Sequence, residues 1–192
     1  MKKMLFVLFL VATVAFAQRE LAFGQGDNAF NAGLTLNGLG DDVRPGIALV
    51  YDRMLSDMFS VGAELSLYQH SYNIVGTRLV GDQYQVVDVN YKHTYVTPLF
   101  RVGFHPFGIP ALKGDVTAAT VLDPYVVVGT GFRINNQSEE YRGGGKKSNT
   151  ETSFVYDFKP GIRWFFTPRI NLWAEGGFGS YSAITLGAGV RF

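Results

Sequence analysis

The sequence predicts an all-β protein, an eight-stranded antiparallel transmembrane β-barrel preceded by a cleavable signal peptide. Three observations carry this prediction: a short apolar leader, a series of segments that alternate apolar and polar residues, and a last alternating segment that ends at Phe192. In residues 182–192 one parity is apolar, consisting of Ile184, Leu186, Ala188, Val190 and Phe192. Such a strand must pair on both edges and cover an apolar face, which a closed barrel in lipid achieves. The alternative is the last strand of a soluble sandwich.

The composition agrees with a single membrane-embedded domain. The chain has 192 residues, of which 47% are hydrophobic and only 17% charged, against about 25% charged in a typical soluble domain. There is no cysteine, which excludes thiolate catalysis, cysteine metal sites and disulfides. The formal net charge of +1 gives no indication of a nucleic-acid partner.

The first 17 residues have the three parts of a secretory signal peptide. Lys2 and Lys3 form a basic start, an apolar run follows, and Ala15 and Ala17 form an A-x-A cleavage site. The run is shorter than the roughly 20 residues that a transmembrane helix needs. We therefore expect a signal peptide over 1–17, a short polar lead-in over 18–27 and the barrel domain over 28–192.

Period-2 alternation predicts eight strands in the mature chain. Their expected bounds are 29–39, 46–54, 61–72, 91–104, 125–134, 152–166, 170–181 and 182–192. Residues 105–123 are ambiguous and leave room for a short helix at 116–121. Pro98 and Pro160 interrupt two of the strands, and because proline removes a ladder donor we expect a bulge at each.

The connections between the strands predict which end faces which compartment. An even number of strands places both termini at one end, and bacterial barrels have short turns there, on the periplasmic side, and longer loops outside. The turns at 56–57 and 167–168 are short and lie at the end of the termini. The polar segments 73–90 and 135–151 are expected to be loops at the opposite, extracellular end.

Several strand ends resemble those of a known family. The pieces are Leu122-Asp123-Pro124-Tyr125, Gly129-Thr130-Gly131-Phe132, Gly161-Ile162-Arg163-Trp164-Phe165-Phe166 and Ile184 to Phe192. They resemble the OmpA-like family of small outer-membrane β-barrel proteins. The resemblance implies the outer membrane of a Gram-negative-type bacterium, contact with outer-membrane lipids and no cofactor. It also implies that the C-terminal aromatic, here Phe192, is part of the signal read by the outer-membrane assembly machinery.

Charged residues on the inward parity predict the content of the barrel interior. An eight-stranded barrel is just wide enough for its own side chains, and buried charges persist only when they are paired. We therefore expect a salt-bridge network that plugs the interior, and a selective path for ions or solutes is the alternative. The predicted network comprises Asp52, Glu64, Arg101, Arg133, Asp157, Lys159, Arg163, Glu175 and Arg191.

Other candidate sites are an aromatic girdle and a histidine pair. Aromatic residues near the periplasmic strand ends, Tyr51, Phe104, Trp164, Phe166 and Phe192, are expected at the membrane interface. His70 and His93 lie near the outer rim on neighbouring strands, where they form either half of a metal site or two polar rim residues. No third ligand is evident, so we expect no metal.

The function expected from these patterns is non-enzymatic. The sequence has no catalytic motif, and His70 and Ser71 point to opposite faces because they are adjacent in a strand. We expect a barrel with a structural role in the envelope or one that presents its loops for interaction. A narrow porin-like transport barrel for a small or apolar solute is the alternative, and a lipid-modifying barrel enzyme is the third reading.

Overall fold

The computed structural model describes residues 21–37, 44–80, 82–109, 121–141, 145–179 and 183–192. The predicted signal peptide at 1–17 lies outside the described residues, and so does nearly all of the segment 116–121.

The described chain forms one antiparallel sheet that closes on itself. Its strands are β1 (Asn28–Asn37), β2 (Arg44–Met54), β3 (Phe59–Val80), β4 (Gln83–Phe104), β5 (Leu122–Tyr141), β6 (Lys146–Phe165), β7 (two segments, Ile170–Gly176 and Phe178–Gly179) and β8 (Ala183–Arg191). Each strand pairs with the next, and β8 pairs with β1. The predicted eight-stranded barrel is confirmed. A 3-10 turn, Pro106–Gly108, follows β4, and no helix in the described ranges is long and apolar enough to span a membrane.

Alternation along the strands separates a polar interior from an apolar outer surface. In β1, Asn31 and Thr35 are buried, whereas Phe30 and Leu34 are exposed. The same alternation runs through the part of each strand nearest the terminal end, so that the exposed large apolar side chains form an outer belt. A soluble protein does not expose apolar surface on this scale, whereas a barrel in hydrocarbon requires it.

The two ends of the barrel differ in their connections. At the end of the termini, called the terminal end, Asn28 and Phe192 exchange backbone hydrogen bonds of 3.0 Å. The short turns 55–58 and 166–169 also lie there. The opposite end, called the loop end, carries the β3–β4 and β5–β6 connections. The two short turns lie where they were predicted, but β4 ends and β5 begins at the terminal end too, so the long connection between these strands departs from the rule. Which end faces the periplasm stays a prediction.

At the loop end, four strands continue beyond the apolar belt. Most outward side chains are polar beyond Leu67 in β3 and before Val96 in β4, and Val75 and Val86 are the exposed apolar exceptions. Beyond this level β3–β4 and β5–β6 remain fully paired up to Val80 and Glu140. We call residues 69–80, 83–94, 135–141 and 146–152 the extension. The prediction of loops over 73–90 and 135–151 is wrong for most of these residues, because a strand with water on both faces has no apolar parity.

The bulges predicted at Pro98 and Pro160 are absent. Val96 pairs with Ile134 and Leu99 pairs with Gly131, so β4 and β5 keep one register across Pro98. On β6 the pairing with β7 skips residues 159–160 and resumes in the same register at Gly161. The sheet therefore accommodates each missing N–H by omitting bonds locally and without inserting a residue.

Candidate functional site

The centre of the barrel interior is an ion-pair network around Arg101. Its guanidinium contacts three carboxylates, with Nε 3.1 Å from Asp52 Oδ1, Nη1 3.1 Å from Glu64 Oε2 and Nη2 2.5 Å from Glu175 Oε1. The four residues lie on β4, β2, β3 and β7 and are 1–4% exposed. One side chain therefore ties together strands from opposite sides of the barrel.

Lys159 extends the network from β6. Its ammonium group donates to both carboxylate oxygens of Glu64, at 2.7 and 2.9 Å. The same group lies 3.3 Å from Asp157 Oδ2. Asp157 is therefore held in the network through its ion pair with Lys159.

Arg163, also on β6, joins the network to its terminal side. It donates to Asp52 and, at 3.0 Å, to Asp123 Oδ2. The guanidinium also lies 4.3 Å from the ring centroid of Tyr125. The Tyr125 hydroxyl in turn donates to Glu175 Oε1 at 2.7 Å. Hydrogen bonds and charge contacts thus connect the network from its centre to its terminal side.

The structure brings seven of the nine predicted interior charges together. Arg133 is only half-buried and lies towards the loop end, opposite Ser153 in the β5–β6 register. Arg191 is buried at the terminal end, where it donates to the carbonyl oxygens of Ala22 and Pro168 and lies 3.4 Å from Asp27. The charge of Arg133 still acts on Asp157, whereas these contacts of Arg191 place it at the terminal end, away from Arg101.

The terminal mouth of the barrel is covered by the N-terminal segment, residues 21–27, which we call the cover. Leu21, Ala22 and Phe23 are buried. The Phe23 ring stacks on Phe165 at 6.2 Å and lies 4.9 Å from the guanidinium of Arg163. A lead-in of mainly polar composition thus places its apolar residues inside the mouth.

A turn fixes the cover to the barrel rim. The amide of Gln25 donates to Asp57 Oδ1 at 2.9 Å, and that of Gly26 donates to the Met54 carbonyl at 3.1 Å. Gly26 has φ +86°, a conformation that L side chains adopt at a cost. The cover is therefore held by specific bonds to the β2–β3 turn.

A second hydrogen-bonded cluster, absent from the sequence predictions, lies just inside the terminal mouth. His105 Nε2 is 2.9 Å from Ser60 Oγ, and His105 Nδ1 is 2.6 Å from Asp123 Oδ1. All three residues are 1–3% exposed. They are far apart in the sequence and match no motif, so only the β3–β4–β5 register reveals their proximity.

The histidine pair at the loop end belongs to a stack of rings. His70 and His93 are opposite each other in the β3–β4 register. However, the His93 ring stacks between Tyr72 and Tyr95, at centroid distances of 5.8 and 6.0 Å. His93 Nδ1 also lies 3.3 Å from Asn135 Oδ1. In the part of the chain that the structure describes, no three His, Cys, Asp or Glu side chains form a metal-binding group.

The stack is continuous along the inner face of β3 and β4. Tyr68 stacks on Tyr95 at 4.4 Å, and Tyr72 stacks on Tyr91 at 5.4 Å. With the His93 ring between these two pairs, five near-parallel rings run from the loop end of the barrel into the extension. Aromatic pairs contribute beyond the area that they bury, so the stack stiffens the β3–β4 part of the extension.

The predicted girdle residues lie on the outer surface at the terminal end. Tyr51, Phe104, Trp164, Phe166 and Phe192 are all exposed to the surroundings. The Tyr51 hydroxyl donates to Asn28 Oδ1 at 2.8 Å, and Trp164 packs edge-on against Phe166 at 6.4 Å. Towards the loop end, the exposed rings of Phe132 and Phe154 form a similar pair at 6.0 Å. The role of Phe192 in assembly stays a prediction.

Comparison with known proteins identifies the fold. No family model matches the sequence, and no curated protein matches it. One similar structure is that of Ail, the attachment invasion locus protein of Yersinia pestis, solved in complex with the heparin analogue sucrose octasulfate. The two sequences are 17% identical and the TM-score is 0.53. The match covers 88% of this chain and 99% of Ail. The outer-membrane protein OprG of Pseudomonas aeruginosa is 12% identical with a TM-score of 0.53, covering 90% and 99%. The chain has the fold of small outer-membrane β-barrel proteins.

Proposed function

We propose that the chain is an integral protein of the bacterial outer membrane that uses a closed barrel to hold the extension at the cell surface for interaction. The observation that carries the proposal is the contrast between a blocked interior and a long, ordered sheet beyond the apolar belt. The proposed role of the extension is structural or adhesive.

The interior supports an anchoring role more than a transport role. Arg101, Lys159 and Arg163 are 1–2% exposed and each contacts at least two carboxylates. Removing one partner of such a buried pair costs about 3–5 kcal/mol. A solute would have to separate several of these pairs at once. A narrow transport path stays the second candidate, supported by the similarity in fold to outer-membrane proteins of several kinds.

The extension supports surface interaction through its edges. Among the described residues, β3 beyond Tyr68 and β6 before Asp157 pair with only one neighbouring strand. Their other edges carry backbone N–H and C=O groups that a partner strand can pair with. Residues 146–154 of β6 are all exposed. Two long free edges at one end of a membrane anchor suit a protein partner outside the cell.

The orientation can be tested with single cysteines, because the chain has none of its own. Ser148→Cys places a thiol on the extension, and Arg169→Cys places one on an exposed turn at the terminal end. Intact cells treated with a membrane-impermeant maleimide should label position 148 and leave position 169 unlabelled until the outer membrane is opened. Labelling of position 169 alone in intact cells would exclude the proposed orientation.

The closed interior can be tested in planar bilayers. The folded wild-type protein should give no steady single-channel current at neutral pH and moderate salt. Arg101→Ala, which removes the central cation, is the matched variant in which a path is expected to open if the protein still folds. A stable wild-type conductance like that of a general porin would favour the transport candidate.

A further inference from the structure

Ser60, His105 and Asp123 have the atomic arrangement of a nucleophile, a base and an orienting acid. The hydroxyl oxygen lies 2.9 Å from Nε2 of the imidazole, and the carboxylate oxygen lies 2.6 Å from Nδ1. The first distance falls within the range in which a base activates a hydroxyl nucleophile, about 2.6–3.2 Å, and the second joins the base to the group that orients it. The three residues come from three adjacent strands or strand ends, so the sheet register fixes their positions.

The chemistry of the three groups fixes the direction of the hydrogen bonds. A carboxylate only accepts hydrogen bonds, so the imidazole proton lies on Nδ1 and points to Asp123. In the neutral imidazole, the form that can act as a base, Nε2 is then an acceptor that faces the Ser60 hydroxyl. Arg163 Nη1 donates to the other oxygen of Asp123 at 3.0 Å and so holds the carboxylate in its orientation towards His105.

Ser66 provides an internal comparison on the same strand and the same face. It is also buried, but its hydroxyl donates to a carboxylate oxygen, Glu64 Oε1, at 2.8 Å, and does not face an imidazole. Gly103 gives Ser60 and His105 their room, because a Cβ there would lie 2.4 Å from Ser60 Oγ and 3.1 Å from His105 Nε2. The surroundings of Ser60 therefore differ from those of an ordinary buried serine. An imidazole lies beside its hydroxyl, and Gly103 leaves room for both side chains.

The cover closes this site from the terminal mouth. The Phe23 ring lies 5.9 Å from the His105 ring and 4.9 Å from the Arg163 guanidinium. Removing Phe23 would leave an apolar space bordered by the base on one side and by a positive group on the other. An acyl chain is apolar like the ring that it would replace, and the Arg163 guanidinium is a positive group beside it for a developing negative charge.

We propose that Ser60 is a nucleophile for acyl esters, activated by His105 and Asp123, and that the cover keeps it inactive by placing Phe23 in the acyl position. The site is separate from the surface role proposed above, since it lies inside the opposite end of the barrel. Displacement of residues 21–27 is the event that exposes it.

The reaction is balanced without any further reactant except water. Ser60 Oγ bonds to the carbonyl carbon while its proton passes to His105 Nε2. The ester C–O bond then breaks, and the leaving alcohol takes the proton from His105. Water, deprotonated by the same nitrogen, releases the acid and restores the serine. A fluorophosphonate reports the first step alone, because the Oγ–P bond forms, fluoride leaves and the serine stays labelled.

The test is the rate of fluorophosphonate labelling of the folded protein in detergent micelles, with the labelled residue identified by peptide mass. Phe23→Ala should label at Ser60 at least roughly tenfold faster than the wild type, because the cavity loosens the cover. In the Phe23→Ala background, a second substitution, Ser60→Ala, should abolish the label. Adding His105→Gln should slow it by about 10²-fold or more, the usual contribution of a general base. Adding Ser66→Ala should leave the rate unchanged.

A second variant protects the test against misfolding of Phe23→Ala. A chain that begins at Gly24 lacks the Phe23 ring altogether and is refolded in the same detergent, and its fold is checked by heat-modifiable migration. Labelling at Ser60 in either folded variant supports the proposal. Absence of Ser60 labelling in a folded, uncovered protein, or labelling at the same rate after His105→Gln, overturns it and leaves the cluster a structural hydrogen-bond chain.

Discussion

Arg101 and Tyr95 lie on the same face of β4, yet one belongs to the barrel interior and the other to the ring stack that leads into the extension. Arg101 is 1% exposed and contacts three carboxylates, whereas Tyr95 is half-buried and stacks on Tyr68. Inside the membrane, where no solvent reaches the charges, each must be paired. Beyond it, water satisfies polar groups, and stability comes from ring contacts and cross-strand pairing.

The four strands β3 to β6 are thus held together by different forces along their length. In the barrel, outward side chains must be apolar because they contact lipid, and inward charges must be paired. A single substitution on either face therefore lowers the free energy of unfolding strongly. In the extension both faces meet water, and each contact contributes little. We therefore expect the loss of stability caused by a substitution to decrease from the barrel centre to the tip of the extension.

The largest effect is expected at the centre of the interior. Arg101→Ala leaves Asp52, Glu64 and Glu175 with fewer positive partners, and the free energy of unfolding should fall by about 3–5 kcal/mol. The measurement is urea unfolding in phospholipid vesicles, followed by tryptophan fluorescence. The control is Arg169→Ala, an exposed arginine that should change the free energy by no more than about 0.5 kcal/mol. Equal effects of the two variants would contradict the central role of the network.

The outer face of the barrel should give the next largest effect. Phe158 points outward from β6 and is 48% exposed, so Phe158→Arg places a charge in hydrocarbon at a cost of about 2–4 kcal/mol near the midplane. The matched change on the opposite face is Asp157→Asn, which keeps the size of a buried side chain and removes the charge that pairs with Lys159. It should cost less.

Both β6 variants are compared by the heat-modifiable fraction on a gel after folding into the same vesicles. If Phe158→Arg folds as well as the wild type, the outward assignment of β6 is wrong. A larger loss for Asp157→Asn than for Phe158→Arg would lead to the same conclusion.

The assignment that these two substitutions test could be predicted from the sequence. Lipid outside and paired charge inside make each barrel position either apolar or polar, so the alternation of Phe158 with Asp157 and Lys159 is sufficient. Seven of the nine predicted interior charges meet for this reason. Arg191 does not join them, because the pattern gives the face of a residue and not its height along the barrel axis.

The rest of the molecule could not be predicted, for two physical reasons. In the extension water removes the requirement for an apolar face, so strand residues such as Asn136 and Thr150 have the composition of a loop. At the terminal mouth Ser60, His105 and Asp123 meet only through the register of three strands, and the local sequence around each is unremarkable in composition. The burial of Phe23 likewise depends on a space that exists only once the barrel has closed.

A moderate, local effect is expected in the ring stack. Tyr72 contacts Tyr91 and His93, and each aromatic contact contributes about 0.5–1.5 kcal/mol. Tyr72→Ala should therefore increase amide hydrogen exchange in residues 69–77 and 88–94 and leave the unfolding free energy of the barrel unchanged. Val75→Ala, on the outer face of the same strand and 71% exposed, is the control and should alter neither. Exchange that rises equally throughout the barrel would show that the stack does not act locally.

The smallest effect is expected at the tip of the extension, where an ion pair like those of the interior meets water. Lys146 Nζ lies 3.8 Å from Glu140 Oε1, and the two side chains are 62% and 66% exposed. An exposed pair contributes about 0–1 kcal/mol, because water screens the charges and two long side chains lose freedom in forming it. A double-mutant cycle with Glu140→Gln and Lys146→Gln, read by hydrogen exchange in residues 137–141, should give a coupling energy in that range that declines with added salt. A coupling as large as that of the Arg101 contacts would mean that the tip excludes water as the interior does, and the contrast between the two regions would then rest on something other than solvent.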